Sequence, residues 1–185
     1  RSLVVFDMPY KTYTNKFIAY RNAKKVIKLT KCDAVKLEGG HDISKIVKYL
    51  VSKGIKVMGH IGLLPQTSSQ FKLKGKNSNE KRKLLKDAKE LSKSGVFAIV
   101  IECVVERLAK KITNEIKVPT VGIGASKYCD GQVLVIDDII GLSDLNAKFV
   151  KKYSNVKKII EKSVKNFCND VKKRKFPSAL NTYKY

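Results

Sequence analysis

A chain of 185 residues, 43% of them apolar, with 11 glycines and 4 prolines, can bury a full hydrophobic core, which excludes a disordered tail. Its formal charge of +23, from 39 basic and 16 acidic residues, raises nucleic acid or an anionic membrane surface as a possible partner. Lysines such as Lys24, Lys25, Lys28, Lys45, Lys48, Lys86 and Lys89 fall between apolar helix positions, where a solvated face lies, and no basic run is interleaved with aromatics, so specific nucleic-acid binding is not expected.

Short apolar runs alternate with helix-period segments along the chain, the order that βα units produce around a parallel sheet. Leu3 to Phe6 reads as a buried strand ending at Asp7-Met8-Pro9, and after Thr14-Asn15 the spacing of Phe17, Ala23, Val26 and Ile27 predicts a helix. Ala34 to Leu37 is the next strand, closed by Gly39-Gly40, and Ile43, Ile46, Val47 and Leu50 share one face of a helix that stops at Gly54. Ile55 to Ile61 forms a third strand. The polar stretch from Pro65 to Asn79 that follows lacks periodicity, and a loop of that length inside a domain is usually functional. Leu84, Leu85, Ala88 and Leu91 mark a helix before Gly95, and Val96 to Ile101 is a β-branched strand running into Glu102. Leu108, Ile112 and Ile116 continue the alternation, Thr120 to Ile123 and Gln132 to Ile136 supply two more strands, and a helix over residues 155–173 closes the chain. No break in composition separates a second domain, so residues 1–185 read as one domain of about six strands. A doubly wound sheet would place a Gly-rich phosphate loop after its first strand, and Asp7-Met8-Pro9-Tyr10 has none.

Charged residues on apolar strands are costly to bury without purpose. Four strands in succession carry one near the C-terminal end: Asp7, the pair Lys36 and Glu38, His60, and Glu102. Lys36 and Glu38 are two residues apart and so face the same side of their strand. Each alone has a structural explanation, as a cap, an internal ion pair or a satisfied core histidine. Together they point to an anionic, metal-assisted site with a cation and a separate carboxylate base, placed where α/β barrels keep their chemistry.

Cys32, Cys103, Cys129 and Cys168 are widely spaced with no C-x-x-C pair, which signals neither zinc nor a disulfide framework and fits reduced thiols in the cytoplasm. No apolar run approaches the roughly 20 residues needed to cross a bilayer, and the chain opens on Arg1 without a signal-peptide pattern.

Local motifs, in order, resemble one family. Val35-Lys36-Leu37-Glu38-Gly39-Gly40, Met58-Gly59-His60-Ile61-Gly62-Leu63, Pro65-Gln66, Ile99-Val100-Ile101-Glu102-Cys103-Val104, Pro119 to Ala125 and Asp130 to Val135 are similar to ketopantoate hydroxymethyltransferases. The resemblance runs from Leu3 to about Pro177. It implies a (β/α)8 TIM-type barrel and transfer of a hydroxymethyl group from 5,10-methylenetetrahydrofolate to 3-methyl-2-oxobutanoate, giving 2-dehydropantoate in pantothenate biosynthesis. It further implies Mg²⁺ as Lewis acid for the enolate, a homo-oligomer, and no membrane partner. By the same resemblance Asp7 is a metal ligand and substrate contact, Lys36 binds substrate, Glu38 is associated with the metal through water, His60 orients either substrate or the metal's water ligands, and Glu102 accepts the C3 proton.

The barrel is expected to be incomplete, because two N-terminal βα units of the family, with a Gly-Asp-Ser motif whose aspartate is the other principal metal ligand, have no counterpart in these 185 residues. Val105, Ser126 and Asp137 replace residues usual in the family. A competing expectation is therefore a catalytically inactive barrel fragment acting as a basic oligomerisation or nucleic-acid-binding protein.

Overall fold

The computed structural model describes residues 2–68, 70 and 72–183, so Ser69 and Phe71 of the long loop lie outside the described residues. Strands β1 (Val5–Asp7), β2 (Ala34–Glu38), β3 (Val57–Gly62), β4 (Ala98–Glu102), β5 (Thr120–Ile123) and β6 (Gly131–Gln132) lie side by side in sequence order, and every neighbouring pair is parallel. A doubly wound sheet reverses its strand order at a switch point, whereas βα units laid down in one direction give the order of a barrel. The sheet is thus of the (β/α)8 type and incomplete: among the described residues β1 pairs only with β2, and β6 only with β5.

Burial explains why the strands read as continuous apolar runs. β4 is buried at all five positions, and in β2 only Lys36 is partly exposed, as expected where helices cover a parallel sheet. Helices α1 (Lys16–Thr30), α2 (Ser44–Ser52), α3 (Ser78–Lys93) and α4 (Glu106–Glu115) supply the covering layer. Val47 and Leu50 from α2, Leu91 from α3 and Ile112 from α4 are fully enclosed with Val35, Leu37, Val57, Ile99 and Ile101 of the sheet. Each such side chain contributes about 1.5–3 kcal/mol relative to exposure.

Caps fix where the helices begin. The Asn15 side chain accepts from the Phe17 and Ile18 N–H groups, and Asn77 does the same for Glu80 N–H. The expected face of α1 holds at Ala23, Val26 and Ile27 and is corrected at Phe17, which is 65% exposed and stands edge-on to Tyr49 at 5.9 Å.

The chain divides into two compact units, one ending at Val133 and one beginning at Leu134. The second holds α5 (Ile136–Ile139) and α6 (Val156–Lys172). Here the expected strand from Gln132 to Ile136 is corrected, since pairing stops at Gln132 and Ile136 opens a helix. Asp137 and Asp138 in its first turn favour the positive end of a helix, and Val133, Val135 and Ile136 are all exposed, so that no burial rewards an extended run. In α6, Ile159, Ile160, Val164, Phe167 and Val171 are likewise exposed. No helix among the described residues is long and apolar enough to cross a membrane.

Candidate functional site

Parallel register brings the strand-end residues together. Asp7 lies opposite Lys36, and Glu38 opposite His60. His60 pairs in register with Val100, so Glu102, two residues on, projects on the same side of its strand. The Lys36 ammonium sits 2.8 Å from Asp7 Oδ1 and 3.8 Å from Glu38 Oε1, and it donates to His60 Nδ1 at 3.2 Å. On its other side His60 Nε2 is 3.2 Å from Glu102 Oε2. All five residues singled out from the sequence stand in one connected cluster at the C-terminal ends of β1 to β4.

The lysine determines the histidine's tautomer. An ammonium has only donors, so Nδ1 must accept and the ring proton sits on Nε2. That N–H points too far off line to bond Glu102, which leaves Nε2 as a buried polar atom without a hydrogen-bond partner. Such an atom costs on the order of 1–3 kcal/mol, and it marks where an acceptor atom of a ligand would be stabilised. Glu38 and Glu102 are nearly as enclosed as His60, at 6%, 7% and 2% exposure, whereas the Asp7 side chain is half exposed. Burial pushes the Glu38 carboxyl above its ordinary value, although His60, the Gln66 N–H and Lys36 act in the opposite direction.

Two backbone features hold Glu102 in place. Gly62 has φ +100°, and a side chain there would put its Cβ 2.1 Å from the Glu102 carbonyl oxygen, the atom that accepts from Leu63 N–H. The second half of the long loop is tied alongside: Lys74 N–H donates to the Cys103 carbonyl and Val105 N–H to the Lys74 carbonyl. Cys103, next to Glu102, adopts a left-handed φ of 49°. Its thiol is pushed up to about 11 by burial and by the Glu102 charge, so it stays protonated at neutral pH and is not a nucleophile.

Gln66 and Tyr13 were not singled out for a role from the sequence, although Gln66 lies in a recognised motif. Gln66 N–H donates to Glu38 Oε2 at 3.1 Å, and its side-chain amide donates to the Met8 carbonyl at 3.0 Å and to Asp7 Oδ1 at 3.4 Å. Tyr13 Oη donates to Gln66 Oε1 at 3.1 Å. One loop residue therefore joins the carboxylates of β1 and β2. The Pro65-Gln66 motif, at the start of the long loop after the strand that carries His60, is the sequence signal that would have found it.

Among the described residues no group of three or more His, Cys, Asp or Glu side chains converges as an all-protein metal cage. Mg²⁺ needs none, since it keeps several waters and takes one or two protein carboxylates together with ligand oxygens. Asp7, half exposed, fits as a direct ligand; Glu38, engaged by Gln66 and Lys36, fits as a partner through water.

Comparison with known proteins identifies the family. The family model described as ketopantoate hydroxymethyltransferase matches residues 1–179. The chain belongs to this family. The 3-methyl-2-oxobutanoate hydroxymethyltransferase of Pelagibacter ubique is 53% identical over 99% of this chain and 71% of its own length. The like-named proteins of Rhizobium etli and Anaplasma marginale are 46% and 42% identical, over 69% and 67% of their lengths. Membership implies pantothenate biosynthesis.

Proposed function

We propose that this protein transfers a hydroxymethyl group from 5,10-methylenetetrahydrofolate to 3-methyl-2-oxobutanoate to give 2-dehydropantoate. The observation that carries the reading is the buried Glu102 carboxylate facing a partnerless His60 Nε2–H, with one ammonium, Lys36, beside them.

In this reading Lys36 holds the carboxylate of the 2-oxo acid and the His60 N–H donates to a substrate oxygen. Glu102 removes the C3 proton, the C–H electron pair becomes the C2–C3 double bond of an enolate, and the enolate carbon attacks the one-carbon unit. Overall, oxo acid, methylene donor and one water give 2-dehydropantoate and tetrahydrofolate, and Glu102 returns its proton. Mg²⁺, when bound at Asp7 and through water at Glu38, would supply Lewis-acid polarisation of the 2-oxo acid. Residues 1–185 serve one barrel domain, and the protein works in the cytoplasm as a homo-oligomer, with the exposed apolar face of α6 as the contact it offers. The meeting of Asp7, Lys36, Glu38, His60 and Glu102 at the strand ends supports this reading over an inactive basic fragment.

Glu102→Gln should abolish exchange of the C3 proton of 3-methyl-2-oxobutanoate in deuterated water, followed by NMR, while Mg²⁺ binding persists. Exchange at the wild-type rate in the variant overturns Glu102 as the base.

A further inference from the structure

The long loop opens on a turn that aims one neutral residue at the charged cluster. Thr67 N–H donates to the Leu64 carbonyl at 3.1 Å, and Pro65 stands second in that turn, where its fixed φ is favoured. The third residue of such a turn keeps its own N–H free, and at Gln66 this group reaches Glu38 Oε2 at 3.1 Å. The side-chain amide reaches the end of β1 instead, where the Met8 carbonyl accepts at 3.0 Å and Asp7 Oδ1 at 3.4 Å.

Both acceptors at β1 call for the NH₂ end of the amide, which leaves Oε1 pointing away from them. The terminal torsion of a glutamine is soft, so the amide holds its direction only if its far end is also engaged. Tyr13 engages it. Its hydroxyl has one proton to give, and Gln66 Oε1 at 3.1 Å is nearer than the Glu38 carbonyl at 3.4 Å. At Asp7 the Lys36 ammonium also meets Oδ1, at 2.8 Å, so both protein donors fall on one oxygen. Among the described residues Oδ2 has no partner, and the side chain that carries it is half exposed. We infer that Gln66 and Tyr13 are positioning residues for the divalent cation: the amide, held at its far end by the Tyr13 hydroxyl, ties the end of β1 to the end of β2 and keeps Asp7 presenting Oδ2 beside Glu38. The inference rests on the reading of Asp7 and Glu38 as partners of Mg²⁺ and adds two residues that act only through them. A neutral amide suits the task, since it orients carboxylates without adding a positive charge that would repel the cation.

Mn²⁺, which shares the oxygen ligands and octahedral geometry of Mg²⁺, is the probe, because paramagnetic resonance counts the free ion directly in a titration of the full chain. Gln66→Met keeps the backbone N–H that serves Glu38 and removes only the amide, so its Kd for Mn²⁺ should rise about tenfold. Tyr13→Phe removes one hydroxyl and should raise Kd about threefold. Because Tyr13 acts through the amide, the double variant should bind as Gln66→Met does, with no added loss. Circular dichroism confirms that each variant is folded. A folded Gln66→Met protein with the wild-type Kd overturns the positioning role, and losses that multiply to about thirtyfold in the double variant overturn the coupling through Tyr13. Wild-type protein that binds Mn²⁺ but exchanges no C3 proton of the oxo acid removes the transferase reading, and the expected pattern among the variants then still upholds the positioning role. Wild-type protein that binds no Mn²⁺ overturns the inference, and C3 exchange without the ion would spare the enolisation chemistry.

Discussion

Asp87 offers the sharpest test of how the site is braced. It projects from α3, is 3% exposed, and accepts from the His41 backbone N–H at 2.9 Å, from His41 Nδ1 at 2.8 Å and from Lys83 Nζ at 3.0 Å. Gly40 packs so closely against it that a Cβ at that position would lie 2.0 Å from the Asp87 carboxyl carbon. The turn that follows Glu38 and Gly39 is therefore anchored to α3 through this one side chain. Asp87→Ala removes two hydrogen bonds to a charged acceptor, about 1.5–3 kcal/mol each, and leaves the His41 donors without a partner. The Lys83 ammonium is 58% exposed, so its pair adds at most about 1 kcal/mol. We expect a loss of about 3–5 kcal/mol at pH 7, and about half that for Asp87→Asn, which still accepts from His41 N–H. Burial pushes the Asp87 carboxyl up, but the His41 and Lys83 hydrogen bonds outweigh it and hold the group below its ordinary 3.8. A carboxyl depressed in the folded state contributes stability above its unfolded value and loses it as pH falls through the folded one. The deficit of Asp87→Ala should accordingly be constant from pH 7 down to about 5 and shrink below pH 4. Urea unfolding at pH 7, 5 and 3.5 measures it. A loss under about 1 kcal/mol at pH 7, or a deficit that grows on acidification, refutes the anchoring role.

Two further outcomes follow from the same geometry. Lys36→Met leaves the Asp7 and Glu38 carboxylates without the ammonium between them and should lower stability by about 2–4 kcal/mol, which thermal unfolding would register as a melting point lower by roughly 4–16 °C. Of the four cysteines, Cys168 is exposed while Cys32, Cys103 and Cys129 are buried, so a thiol reagent should modify one group rapidly in the folded protein and four in denaturant. Fast reaction at Cys103 would contradict its enclosure beside Glu102.

Much of this arrangement was readable in the chain because burial on both faces turns a strand into a β-branched run, against which a charge such as Glu102 or Lys36 stands out. Parallel register then converts separate strand-end positions into neighbours, which is why Asp7, Lys36, Glu38, His60 and Glu102 meet. Gln66 and Tyr13 left no such trace. Neutral polar residues in loops are ordinary, and the contacts that give these two their place span 53 and 59 positions of sequence. Asp87 escaped notice for the same reason: a carboxylate among lysines on a helix reads as solvated surface until His41, 46 positions away, is seen to use it. The run after Gln132 misled because its apolar residues suit a strand, and only the absence of packing at Val133 and Val135 shows that an extended form gains nothing.

The cluster holds three carboxylates and one ammonium, Lys36 pairing with Asp7 and Glu38 while Glu102 lies against His60, so carboxylates outnumber cations there within a molecule of net charge +23. The outer field reaches about 8 Å into physiological saline and enriches small anions near the surface, while the cluster itself repels any anion that arrives without a cation to offset it. Encounter and capture therefore respond to opposite signs of charge. Added monovalent salt should slow the arrival of an anionic ligand, and a divalent cation should lengthen its stay.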